Sequence, residues 1–447
     1  MLSAQSRLGQ LKGGGDGPCV QRGFIAQMRL TLAYHAVSDV RFGDRTQLDG
    51  TTLLVDQEAL QRHLLEDHRL ASVDLHVVRP GDSARFGVVF DILEPRAKAP
   101  GAGPDFPGIL GPIEMAGKGT THVLQGSAVT VLDEGAPIAS GKIVEMSGEA
   151  RVACPYASLS HLVVVPHLMQ GLERHTALHA LRLASVKASV YLAGAAIGQG
   201  AATTEVFDTQ GPVSARRDGV PRIAYIAQIH SRQRVAEVDE QILYGANTVG
   251  MLPVLLHPNE WLDGALVTSY SSRGVETYFY QNHPIISELY RWHRDGKMIL
   301  VGTIATMAAS DNDERARNCM LAAQQAKWLL AADGVILTKY GGGAPHADMA
   351  LTARICEQLG IRTTVQVEDM SRDRRAESAL LFNYAEVDAM VHVGGNDTHW
   401  SVPAVERAIA GNPEDTSTLG ASQQLDASRL CGVTNQQGAS RLRSFVY

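Results

Sequence analysis

Two glycine-rich loops carry histidine and aspartate at spacings suited to acid–base or metal chemistry. The first reads Gly341-Gly342-Gly343-Ala344-Pro345-His346-Ala347-Asp348, and the second Gly394-Gly395-Asn396-Asp397-Thr398-His399-Trp400. Imidazole and carboxylate on converging loops act as general acid and base or hold a divalent metal. His346, His399 and Asp348 are therefore candidate catalytic groups. Gly342, Gly343 and Asn396 are candidate substrate contacts, because a loop opening onto a helix amino end receives anionic groups. A second set lies upstream, where His230 and His257 are candidate metal ligands and Glu260, Asp263 and Asn282 candidate substrate contacts. Plain structural roles compete with these readings. Glycines after a strand commonly just turn the chain. Asp348 near a helix start suits the helix dipole, Asp311 followed by Glu314 reads as an N-cap, and His392 inside an apolar run reads as a core residue.

These residues need elements to position them. From Lys297 onward strand-like and helical runs alternate: MILVGTIAT, a helix over Asp311–Leu330, GVILTKY, a helix over His346–Leu359, IRTTVQVE, a helix around Glu377–Tyr384, AMVHVGG, and a helix over Val402–Ile409. Such alternation predicts parallel βαβ units in a doubly wound sheet, with ligands outside the carboxyl ends of the strands. Further strands are expected at Arg222–Ile229 and Thr248–Leu256, and a helix over Glu173–Ala193. Between Arg29 and about Gly148 the runs alternate and are punctuated by Gly and Pro, which predicts a β-rich region. The expected fold class is α/β. Its divisions are a disordered extension at 1–27, a β-rich domain at 28–150, a mixed α/β domain at 151–296 and a doubly wound α/β domain at 297–447.

Composition limits the functional classes. With 447 residues, 45% hydrophobic and 19% charged, the chain reads as an ordinary globular protein of several domains. Its net charge of −7 and scattered basic residues argue against a nucleic-acid or anionic-membrane partner. No apolar run approaches the roughly 18 residues that span a bilayer, and the first residues lack the order of a secretory signal, so the cytoplasm is expected. Cys19, Cys154, Cys319, Cys356 and Cys431 lie far apart. That spacing argues against a zinc site, a disulfide framework or a redox dithiol, so reducing equivalents are expected from a partner.

One segment carries a more specific signal: Asp263 to Pro284 reads DGALVTSYSSRGVETYFYQNHP. With it come RPGDSARF at Arg79–Phe86, ILEPR at Ile92–Arg96, GTTHVLQG at Gly119–Gly126, HPNEWLDGA at His257–Ala265 and QNHPIISELY at Gln281–Tyr290. ADGVILT at Ala332–Thr338, VGGND at Val393–Asp397 and GVTNQQG at Gly432–Gly438 complete the set. In this order they resemble the substrate-specific proproteins of the glycine, sarcosine and betaine reductases, and more distantly of D-proline reductase. The resemblance starts at Met28. It implies a complex subunit acting on a small amine or amino-acid-like substrate, oligomeric assembly, and a separate subunit bearing a reactive thiol or selenol. It also implies self-cleavage beside a cysteine to form a pyruvoyl group. Here no cysteine lies between Asp263 and Pro284, and Ser271 stands at or near its place. A serine hydroxyl is able to attack a strained preceding carbonyl. Three readings follow: a pyruvoyl subunit built on Ser271, a His/Asp metal or acid–base enzyme on the same scaffold, and a non-catalytic binding subunit.

Overall fold

The computed structural model describes residues 28–208, 219–231, 241–248, 250–270, 275–309, 311–341, 343–369, 387–395, 398–433, 437 and 445–446. Residues 1–27, Ser271, Gly342, Asn396, Asp397 and the helix expected around Glu377–Tyr384 lie outside the described residues.

The strand Arg222–Ser231 shows why a seven-stranded sheet forms. Ala224 and Ile226 bury into one apolar cluster, while Tyr225, Ala227 and Ile229 bury into another. Successive side chains point to opposite faces, so a run apolar throughout belongs at the centre of a sheet covered on both sides. The order is Val254–Leu256, Ile299–Ala308, Arg222–Ser231, Gly334–Thr338, Arg362–Asp369, Ala389–Gly395, Phe445–Val446. The five inner strands are parallel to their inner neighbours, and an antiparallel strand closes each edge.

Helices cover both faces. Asn312–Gln324 and Ala344–Gln358 bury Ala322, Ala323, Ala353 and Cys356 against Ile226, Val301 and Val335. Pro258–Leu262, Thr277–Gln281 and Pro284–Arg294 bury Trp261, Tyr280, Ile286 and Leu289 against Tyr225, Ala227 and Leu300. Asp311 caps Asn312–Gln324, its Oδ1 accepting the Glu314 N–H at 2.8 Å. The sheet takes its central strand and one edge strand from residues before Lys297.

Elsewhere short strands dominate. One sheet runs Thr203–Asp208, Arg29–Ala36, Gly119–Gln125, Arg96–Lys98, and another Leu70–Val78, Ser160–Leu168, Ser127–Leu132, Val89–Leu93. The helix Arg174–Ala193 packs Leu178, Leu181 and Leu192 into a core with Leu75, Val129 and Val164. The helix expected over Val402–Ile409 is replaced by two strands, His399–Val402 and Arg407–Ala410. Pro403 disfavours helix at the residue before it, and Arg407–Ala410 pairs in parallel with Ala84–Gly87 beside Ile143–Glu145.

Arg85 fixes that return. Its side chain is fully buried with Glu145. Nε donates to Glu145 at 2.5 Å, Nη1 to the Leu419 and Ala421 carbonyls at 2.6 and 2.9 Å, and Nη2 to the Pro403 carbonyl at 2.8 Å.

Candidate functional site

In chain order the five parallel strands lie as second, first, third, fourth, fifth. The connections leave in opposite directions on either side of the first, Arg222–Ser231. A crevice therefore opens at the carboxyl ends of that strand and of Gly334–Thr338, the place where open parallel sheets bind ligands.

Polar groups collect there. Gln228, His230, Lys339, His346, Glu368 and Gln437 are all buried. Gln228 Nε2 donates to the Pro345 carbonyl at 3.1 Å, and Gln437 Nε2 to the Gln228 carbonyl at 2.6 Å. Lys339 Nζ donates to the Gly341 carbonyl at 2.8 Å, and the His230 and Tyr340 ring centroids are 5.2 Å apart. Burial pushes the Lys339 ammonium down to about 7, against the attraction of Glu368. Burial also lowers the His346 imidazole to about 3, with the Lys339 charge adding to the effect. At neutral pH this edge of the sheet thus holds a neutral imidazole and an amine close to half-protonated. Gly343 N-caps the His346 helix with φ of 70°, a backbone that suits glycine.

Of the remaining expected residues, Asp348 is buried beside the carboxyl end of Ile299–Ala308. It accepts the Ala309 N–H at 2.7 Å and pairs with Arg315. His399 stands elsewhere, exposed in an open groove with Glu149, Trp400, Ser401, Gln424 and Asp426. His257 and Glu260 form a capping box: His257 Nδ1 accepts the Asn259 N–H at 3.1 Å and Glu260 Oε1 the His257 N–H at 2.7 Å. Among the described residues, no group of three or more His, Cys, Asp and Glu is arranged to hold a metal ion.

Asp263 and Asn282 meet at a second buried cluster, around Arg96. The Arg96 guanidinium pairs with Glu94 at 2.6 Å and donates to the Leu262 carbonyl at 2.6 Å and to Asn282 Oδ1 at 3.2 Å. Asp263 pairs with Lys98 and accepts from Gly117 N at 2.8 Å and Thr121 Oγ1 at 2.7 Å. The cavity between these groups measures about 20 Å³, room for about one water. With its hydrogen bonds made internally, the cluster clamps the Pro258–Leu262 and Thr277–Gln281 helices onto the short strands.

The segment flanking Ser271 is pinned from below. Thr268 N–H donates to Thr277 Oγ1 at 2.9 Å, which draws the two sides of the loop together. Asp91 accepts from Thr277 N at 2.8 Å and from Thr277 Oγ1 at 2.7 Å. Arg182 pairs with Asp91 at 3.1 Å, donates to the Thr268 carbonyl, and lies 5.2 and 5.6 Å from the Phe90 and Tyr270 ring centroids. Asp91 and Arg182 are both fully buried, and burial holds the Asp91 carboxyl up at about 6. Ser269 Oγ is buried without a hydrogen-bond partner.

Lys339, Gln228, Asp91 and Arg182 were not marked by sequence reasoning. Two signals were present: Lys339 follows an apolar strand directly, and Arg182 interrupts an otherwise apolar stretch, ALRLAS, of a long helix.

The fold and crevice define an α/β protein with a ligand edge at the switch point of a parallel sheet. Within that class the chain belongs to the family of glycine/sarcosine/betaine reductase component B subunits, whose family model matches residues 28–438. It is similar to the glycine reductase complex component B subunits alpha and beta of Acetoanaerobium sticklandii, 27% identical over 435 residues covering 94% of this chain and 100% of the relative. It is also similar to the sarcosine reductase complex component B subunit alpha of Peptoclostridium acidaminophilum, 28% identical over 86% of this chain and 89% of that one. The betaine reductase complex component B subunit alpha of the same organism is 30% identical, over 75% of this chain and 77% of the relative. No solved structure matches the chain. Among the described residues no helix is long and apolar enough to cross a membrane.

Proposed function

We propose that this chain is the substrate-handling subunit of a glycine/sarcosine/betaine reductase-like complex, acting on a small amine or amino-acid-like substrate while another subunit supplies the reducing thiol or selenol. The observation that carries this reading is the state of its own cysteines. Cys154, Cys319, Cys356 and Cys431 are all buried. Burial pushes the Cys154 thiol up to about 11 and the Cys319 and Cys356 thiols up to about 12, and holds Cys431 well above its usual value. The thiolate is the reactive form, so such cysteines are poor nucleophiles. Cys19 lies outside the described residues. Family membership supports the same division of labour, since the named relatives are components of reductase complexes.

The family's cysteine-derived pyruvoyl group does not fit the residues present. The segment Asp263–Pro284 contains no cysteine, and its described flanks are held by the Asp91–Arg182 pair and by hydroxyl hydrogen bonds. The chain is therefore expected to act uncleaved. Denaturing mass spectrometry of freshly purified protein should return one full-length mass. Two fragments meeting near Ser269–Ser272, one with a blocked carbonyl amino end, would refute this and restore a serine-derived group.

A further inference from the structure

We propose that the crevice at the carboxyl ends of Arg222–Ser231 and Gly334–Thr338 binds a small compound bearing a primary or secondary ammonium group, and that Lys339 is the base that takes its proton. This rests on the amine-handling reading above and names the substrate class and a proton-transferring residue for it.

Three observations converge. The first is Gln228, whose amide oxygen is buried with no donor. Its Nε2 is committed to the Pro345 carbonyl at 3.1 Å, so the amide orientation is settled: only an N–H end matches that acceptor. A buried acceptor left without a donor costs on the order of 1–3 kcal/mol, and an N–H-bearing ligand relieves it. The second is charge, because Glu368, buried on the neighbouring strand, favours a cation over an anion at this edge. The third is Lys339 itself, fully buried at the end of the strand that lines the crevice and held near neutrality by that burial. The other titratable groups here do not compete for the proton. His346, on the helix that follows, stays neutral because burial holds it down near 3, and His230 stacks against the Tyr340 ring.

The transfer balances within the site. The ligand's N–H bond breaks, its proton adds to the lone pair of Lys339 Nζ, and the electron pair stays on the ligand nitrogen. A non-nucleophilic ammonium becomes a nucleophilic amine, and Lys339 becomes an ammonium facing Glu368. The burial that depresses Lys339 acts equally on an ammonium placed beside it, which brings the two proton affinities close. A trimethylammonium compound has no N–H to give, so the same geometry discriminates against it.

The test uses the full-length protein. Its lysines are dimethylated with ¹³C-formaldehyde, the Lys339 resonance is assigned by its loss in Lys339→Arg, and its titration is followed by NMR with and without glycine. Glycine, sarcosine and betaine are also titrated calorimetrically into the unlabelled protein. Lys339 should titrate near 7 and shift on adding glycine, and betaine should bind at least about tenfold more weakly than glycine or sarcosine, the loss expected for one unsatisfied buried acceptor. A Lys339 midpoint near its usual value of about 10.4 overturns the proposal. Betaine binding as tightly as glycine does so too, as does absence of label at Lys339, since a crevice closed to formaldehyde is closed to amines. These measurements need no partner subunit, so they fail independently of the complex-subunit reading, and the betaine comparison on the unsubstituted chain stands even where Lys339→Arg misfolds.

Discussion

Replacing Arg182 with alanine is expected to cost about 3–5 kcal/mol of stability at pH 7, the penalty for leaving one member of a buried pair behind. The guanidinium does three things at once: it pairs with Asp91, donates to the Thr268 carbonyl, and packs near the Phe90 and Tyr270 rings. Removal leaves the fully buried Asp91 with only the Thr277 and Ile92 donors. The pH dependence follows. The Asp91 carboxyl already sits at about 6 in the folded chain, above the ordinary carboxylate value of about 3.9. A raised pKa contributes stability that is present below the unfolded value and lost as pH rises through the folded one. Without Arg182 that value climbs further, so the deficit against the unsubstituted protein should be largest at pH 7 and shrink toward pH 4. Urea unfolding across this range reads it directly. A deficit under about 1 kcal/mol at pH 7 would mean that the pair behaves like a solvated surface bridge.

Arg85→Ala should be comparably severe, about 3–5 kcal/mol, and should also have a local signature. Arg85 serves Glu145 and three carbonyls from the Pro403–Ala421 stretch, and neighbouring Arg407–Ala410 pairs with Ala84–Gly87. Its loss buries an unpaired carboxylate and strips those carbonyls of their donor. The returning segment should then become the first site of tryptic cleavage, at Arg407 or Arg429. Arg85→Lys should recover only part of the loss, because a single ammonium does not reproduce a planar fork reaching four acceptors. Cleavage elsewhere first, with the 403–421 stretch still protected, would count against this role.

How much of this was legible depended on the kind of signal. The inner parallel strands were readable because each is apolar on both faces, and Ile299–Ala308 is buried along its whole length. The Glu314 cap was readable because N-capping is local chemistry. Arg407–Ala410 was not, since RAIA also fits a helix and only pairing with a strand more than 300 residues earlier in the chain makes it β. At the site, His346 was read from its glycine-rich loop, and the structure places it in the buried cluster at the switch point. His399 was read from an equally suggestive loop and lies in an exposed groove. The spacing of the two loops was similar, and what separates them is which sheet each strand joins. Lys339, Gln228 and the Asp91–Arg182 pair escaped notice because their significance is burial of a polar group, a property of tertiary packing rather than of local pattern.

The most direct test of the division of labour is turnover of glycine, sarcosine and betaine by the purified chain alone, and by the chain mixed with a purified subunit carrying a reactive thiol or selenol. With its described cysteines buried and protonated, the chain alone should be inert, and addition of the second subunit should give turnover of at least one of the three. Turnover by a homogeneous preparation of this chain with no other protein present would contradict the account.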